Sequence, residues 1–155
     1  MSKYMDLPVA VAQFTVTDKP ERNLEIIDGF ARDAIASGAR LLVLPEGLIA
    51  RRGDGDSYAA AHAQPLNGPF VTGLRRISAQ RHITLMGTVH VAPKVGTERN
   101  ADSRVSNMFL VICGGEIIAE YRKLHLYDAF AARESDVVRP GTELSSISVV
   151  GRLAS

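Results

Sequence analysis

What this sequence lacks narrows it first. It holds one cysteine, Cys113, so no internal disulfide framework is available. Its apolar runs are short, as at Leu41–Leu44, and none approaches the roughly 20 residues of a membrane span. The opening Met-Ser-Lys-Tyr-Met-Asp has no apolar core behind a basic start, so no signal peptide is read. A formal net charge of +1 leaves no electrostatic footprint for nucleic acid and no reason for membrane binding. The histidines at 62, 82, 90 and 125 show no metal-ligand spacing. Gly53-Asp54-Gly55-Asp56 lacks the alternating ligands and closing glutamate of a calcium loop. These absences lead us to expect a cytoplasmic protein with no metal, cofactor, nucleic-acid or membrane partner.

What is present supports a packed core. Apolar residues make up 46% of the 155, enough for one globular domain. Leu7 to Val16 reads as a buried strand. Asp18, Pro20 and Glu21 open a helix, with Leu24, Ile27, Ala31 and Ala34 at helical spacing and Gly38 at the C-terminal cap. Leu41–Leu44, stopped by Pro45, reads as a strand buried on both faces and parallel to the first. Residues 50–68 read as a polar loop that can hold a short helical turn. Asn67-Gly68-Pro69 starts a second helix with Phe70, Leu74 and Ile77 on one face. Ile83 to Val91 is a third strand. Val105 to Cys113 and Glu116 to Arg122 flank Gly114-Gly115, a hairpin signal. Residues 124–146 look irregular, and Ile147 to Val150 starts one more strand. The order β-α-β-α-β-β-β gives an α/β layered domain whose sheet gains a hairpin.

Few residues could carry chemistry. Glu46 follows a buried strand, and sites in parallel sheets gather at the carboxyl ends of strands. Apolar walls there would raise its pKa and suit it to general-base work. The plain alternative is a solvated loop glutamate. Lys123 ends the second arm of the hairpin, where an ammonium could stabilise an oxyanion, although its position alone reads first as a surface lysine. Glu134 is a loop glutamate with no signal of its own. His125 reads as a packing residue rather than a base. Cys113 sits just before the Gly114-Gly115 turn without the helix N-terminus or cationic neighbour that a reactive thiol wants, so it reads as structural.

Taken together, Leu44-Pro45-Glu46-Gly47 and Tyr121-Arg122-Lys123-Leu124-His125-Leu126 resemble the nitrilase superfamily of carbon–nitrogen hydrolases. Val9-Ala10-Val11-Ala12-Gln13-Phe14 resembles its first strand. Asn23 before Gly38 to Glu46, and Asn107 before the hairpin, fit as well. Lys123 to Phe130 followed by Arg133-Glu134-Ser135 is most similar to the branch of ω-amidase and deaminated glutathione amidase. The resemblance runs from about residue 7 to residue 149.

The resemblance implies an α-β-β-α sandwich and a Glu-Lys-Cys triad. Glu46 would take the thiol proton, Lys123 would stabilise the tetrahedral oxyanion, and Glu134 would hold the lysine and substrate. A lysine between two carboxylates stays charged in a dry pocket, because each opposite charge offsets desolvation. The family's cysteine follows the next strand in a Gly-x-x-x-Cys-Tyr-Asp-type segment. This sequence reads Gly151-Arg152-Leu153-Ala154-Ser155 there, and Cys113 is in the wrong place. Residues 1–155 are therefore expected to form one partial domain, the N-terminal half of the sandwich, ending before the nucleophile. The chain is then inactive alone, and the full-length form is a homo-oligomer. The other reading is a non-catalytic protein that keeps half of the fold for binding or for pairing with a partner chain.

Overall fold

The computed structural model describes residues 6–53, 56–93, 102–129 and 132–145. Five strands form one sheet in sequence order: β1 (Val9–Val11), β2 (Leu41–Val43), β3 (Thr84–Val91), β4 (Ser106–Cys113) and β5 (Glu116–Arg122). The first three run parallel, and β4 and β5 add on antiparallel. Helices α1 (Pro20–Ala36) and α3 (Pro69–Arg81) make the crossovers, and the short α2 (Ser57–Ala61) lies between β2 and α3. This is a mixed α/β sheet, as the alternation of periods predicts.

The core lies between the helix pair and one sheet face. Helix α1 buries Asn23, Ile27, Ala31 and Ala34, and α3 buries Phe70, Val71, Leu74 and Ile77. They meet Leu42, Leu85, Val89, Leu110 and Ile112 from alternate positions of the strands. Proline opens each of these helices, where its missing N–H costs nothing. Gly73 lets α1 and α3 approach, since a Cβ there would stand 2.5 Å from a Leu24 methyl carbon.

Three expectations need correcting. Only Val9–Val11 of the first apolar run is strand, because after Ala12 the chain leaves the sheet. It is also not buried: β1 is the edge strand of the described sheet, and Val9 and Val11 are 49% and 76% exposed. By contrast β2 is buried on both faces, with Leu41 and Leu42 at 6% and 1% exposure. Residues 124–146 are not wholly irregular. Asp128–Ala129 (β6) pairs with Ala132–Arg133 (β7), and Glu134–Asp136 forms a 3-10 turn. Two-residue strands carry no periodicity for a sequence to display. The expected strand at Ile147 to Val150 lies outside the described residues.

Candidate active site

Glu46 stands where the chain leaves β2, and its turn is clipped to β3. Leu44 N donates to Met86 O at 2.7 Å, and Leu48 N donates to Thr88 O at 3.0 Å. Between them Gly47, at φ +71°, donates its N–H to Thr88 Oγ1 at 2.8 Å. A side chain at that φ would be strained. Leu48, Ile49 and Ala50 are then fully buried behind the turn. Asn23 secures the segment from the helix side. Its Nδ2 donates to Thr17 O and Ile49 O, both at 3.1 Å, and its Oδ1 accepts from Thr17 N at 2.8 Å.

Lys123 follows β5. Its N–H donates to Asn107 O at 2.9 Å, and its carbonyl accepts from Gly141 N at 2.8 Å. Gly141 is required for this close approach, since a Cβ would stand 2.5 Å from the Arg122 carbonyl oxygen. Glu134 is carried by the 3-10 turn behind the β6–β7 hairpin. Its carbonyl accepts from Val138 N at 2.9 Å, and Arg139 N donates on to Val105 O at 2.7 Å, which ties the turn to β4's start.

The three side chains meet in one charged cluster. Lys123 Nζ donates to Glu46 Oε1 at 3.0 Å and to Glu134 Oε2 and Oε1 at 3.0 and 3.2 Å. Asn107, fully buried on β4, donates its Nδ2 to Glu46 Oε1 at 2.9 Å and to Glu134 Oε1 at 3.5 Å. Tyr127 N completes the Glu134 carboxylate with a 2.6 Å bond. The Glu134 side chain is 2% exposed and that of Glu46 is 55% exposed, so one carboxylate is enclosed and the other faces solvent. Glu46 opens onto a cleft of about 360 Å³, lined among others by Pro45, Thr88, Asn107, Tyr121 and Lys123.

The electrostatics reverse one expectation. Burial does push the Glu46 carboxyl up, but the Lys123 ammonium and the Asn107 amide pull it down further. The group is held below its usual 4.5, not above it. Burial likewise pushes Lys123 down, and the two glutamates outweigh it, holding the ammonium above its usual 10.5. Both groups are charged at neutral pH.

Other candidates fall away from the cluster. His125 is exposed rather than packed. Cys113 is half-buried at the far end of β4. It stands six residues beyond Asn107, about 20 Å along a strand. Sequence reasoning placed Asn107 in the family resemblance without giving it a role, and did not single out Asp56 or assign a role to His90. His90 is fully buried beneath Gly47, with its Nε2 3.5 Å from Asp56 Oδ1. That contact, first of several causes, holds the Asp56 carboxyl below its ordinary value. The available signal was a polar residue at an inward position of an apolar strand, at His90 in β3 and Asn107 in β4.

Comparison with known proteins agrees with this architecture. Residues 8–153 match the carbon–nitrogen hydrolase family. A deaminated glutathione amidase of Escherichia coli O157:H7 is 39% identical over 139 residues, covering 90% of this chain and 50% of that protein. Hydrolase Rv0480c of Mycobacterium tuberculosis is 33% identical over 146 residues, covering 92% of this chain and 49% of that one. Among solved structures, a cysteine-to-alanine mutant of the amidase from Nesterenkonia sp. AN1, in complex with butyramide, superposes with a TM-score of 0.72 at 26% identity. The match covers 88% of this chain and 49% of that one. A glutamate-to-glutamine mutant of the same amidase, with the acetamide moiety of fluoroacetamide added covalently at its active-site cysteine, gives 0.73 at 25% identity, with the same coverage. The chain thus spans about half the length of these relatives. On the family match and the shared fold, the chain belongs to the carbon–nitrogen hydrolases of the nitrilase superfamily.

Proposed function

We propose that this chain supplies the acid–base and oxyanion groups of an amidase that hydrolyses a linear carboxamide, of the ω-amide or deaminated glutathione type, to carboxylate and ammonia. The carrying observation is one ammonium, Lys123, held 3.0 Å from both Glu46 and Glu134 at the mouth of a cleft. In this reading Glu46, ionised at neutral pH, takes a thiol proton. The thiolate attacks the amide carbon, and Lys123 stabilises the tetrahedral oxyanion. Collapse breaks the C–N bond, and Glu46 returns the proton to the leaving ammonia. A water deprotonated by Glu46 then attacks the thioester, its C–S bond breaks to release the carboxylate, and Glu46 returns the proton to the departing thiolate. Glu134 keeps Lys123 charged and in place.

The thiol in this scheme is not Cys113, which stands about 20 Å along β4 from the cluster. It comes from outside these 155 residues, which form one partial domain of a homo-oligomeric enzyme. The covalent adduct on the cysteine of the Nesterenkonia amidase supports a thiol nucleophile. The name of the Escherichia coli relative supports the substrate type. The test mixes this chain with a separately expressed C-terminal half of a full-length relative and measures ammonia released from linear amides. Turnover should appear, and Glu46→Gln or Lys123→Met should lower it by about 100-fold or more. Turnover indifferent to both substitutions would contradict the assignment.

A further inference from the structure

Strands β3 and β4 place His90 directly opposite Asn107. Both residues are fully buried. Among the described residues, the buried side-chain atoms without a hydrogen-bond partner include Oδ1 of Asn107 and both ring nitrogens of His90, whose Nε2 has only the long 3.5 Å approach to Asp56 Oδ1. Buried polar groups are almost always hydrogen-bonded, so orphans gathered on one cross-strand pair ask for a common explanation. Directly opposed residues have Cβ atoms about 5 Å apart. The imidazole and the carboxamide are not in direct hydrogen-bond contact, and at that spacing one enclosed water can bridge them.

The pairing matters because of what Asn107 does on its other edge. Its Nδ2 serves Glu46 Oε1 at 2.9 Å and Glu134 Oε1 at 3.5 Å. A flipped carboxamide would turn its oxygen on two carboxylates. The flip is prevented if something donates to Oδ1, and the imidazole is the group placed to do so. The groups facing His90 are Asn107 from β4, Asp56 ahead of α2 with Oδ1 at 3.5 Å, and the Glu46–Gly47 turn above it.

We propose that His90 is a positioning residue for Glu46: a ring N–H donates through one enclosed water to Asn107 Oδ1 and fixes the carboxamide with its NH₂ edge on Glu46 and Glu134. The inference rests on the reading of Glu46 as the base, but its test does not depend on turnover. Carbon-13 NMR of the glutamate carboxyls in the intact chain would follow the Glu46 titration. His90→Leu, which cannot donate, should raise the Glu46 midpoint by about one unit, the tenfold change expected when a hydrogen bond to a carboxylate is lost. His90→Gln, which can donate, should restore it. A folded His90→Leu chain with an unmoved midpoint would overturn the proposal. Should His90→Leu fail to fold, nitrogen-15 NMR of His90 in the unsubstituted chain decides. A protonated ring nitrogen correlated with the Asn107 side chain supports the proposal, and a bare nitrogen on that side overturns it. If these signals hold while the mixing experiment shows no dependence on Glu46, the positioning stands and the base assignment falls.

Discussion

One ammonium serving two carboxylates is a coupled arrangement, and its parts do not respond alike to substitution. Removing Lys123 strands the enclosed Glu134 carboxylate, and leaving a buried charge unpaired is costly. Lys123 itself is 29% exposed, which tempers the cost by solvent screening. Lys123→Met is therefore expected to destabilise the chain by about 2 kcal/mol in urea unfolding and to raise the Glu46 titration midpoint. An unchanged midpoint would show that the cluster does not form in solution. The pH dependence follows from the same signs. Glu46 is depressed, so its contribution is present above 4.5 and is lost as pH falls through its folded value. Lys123 is raised, so its contribution is present below 10.5 and is lost as pH rises through its folded value. Unfolding measured across pH should show both flanks in the native chain and neither of these contributions in Lys123→Met. At this scale the sequence showed Glu46 at a strand end but misjudged its environment. Apolar neighbours are visible along the chain, whereas the countercharge comes from 77 residues away.

Among the elements, legibility tracks length. Helix α1 and helix α3 declare themselves through Ile27, Ala31 and Ala34 and through Phe70, Leu74 and Ile77, because periods of several turns leave a pattern. The β6–β7 hairpin and the 3-10 turn behind it do not, although they deliver Glu134. What holds that turn is a set of backbone bonds with Tyr127 and Val105, which no side-chain period encodes. Gly141 joins the segment after the 3-10 turn to the end of β5. It lies against the end of β5 so closely that a Cβ would stand 2.5 Å from the Arg122 carbonyl oxygen. Gly141→Ala should destabilise by about 1–3 kcal/mol through overpacking. It should also loosen Lys123, whose carbonyl accepts from Gly141 N. The check is urea unfolding together with the Glu46 titration. A variant with wild-type stability and an unshifted Glu46 would show that this contact does not position the lysine.

For the molecule as a whole, the fold class was readable in the alternation of strand and helix patterns, and the exposed edge was not. A buried strand was read into Leu7 to Val16 from composition alone, yet Val9 and Val11 are exposed on a three-residue strand at the edge of the described sheet. An apolar strand at the edge of the described sheet invites pairing with another chain. Concentration-dependent association in sedimentation is the expected behaviour, reduced by Val11→Lys. A monodisperse monomer at high concentration would contradict it. On the proposed reading, the cluster of Glu46, Lys123 and Glu134 has no route to an acyl intermediate without a thiol beside it. The most direct test is ammonia release from linear primary amides by the purified 155-residue chain, measured beside Cys113→Ala. The expected result is no release above buffer from either protein. Turnover by the chain that disappears in Cys113→Ala would contradict it, because the cysteine at the far end of β4 would then be the nucleophile.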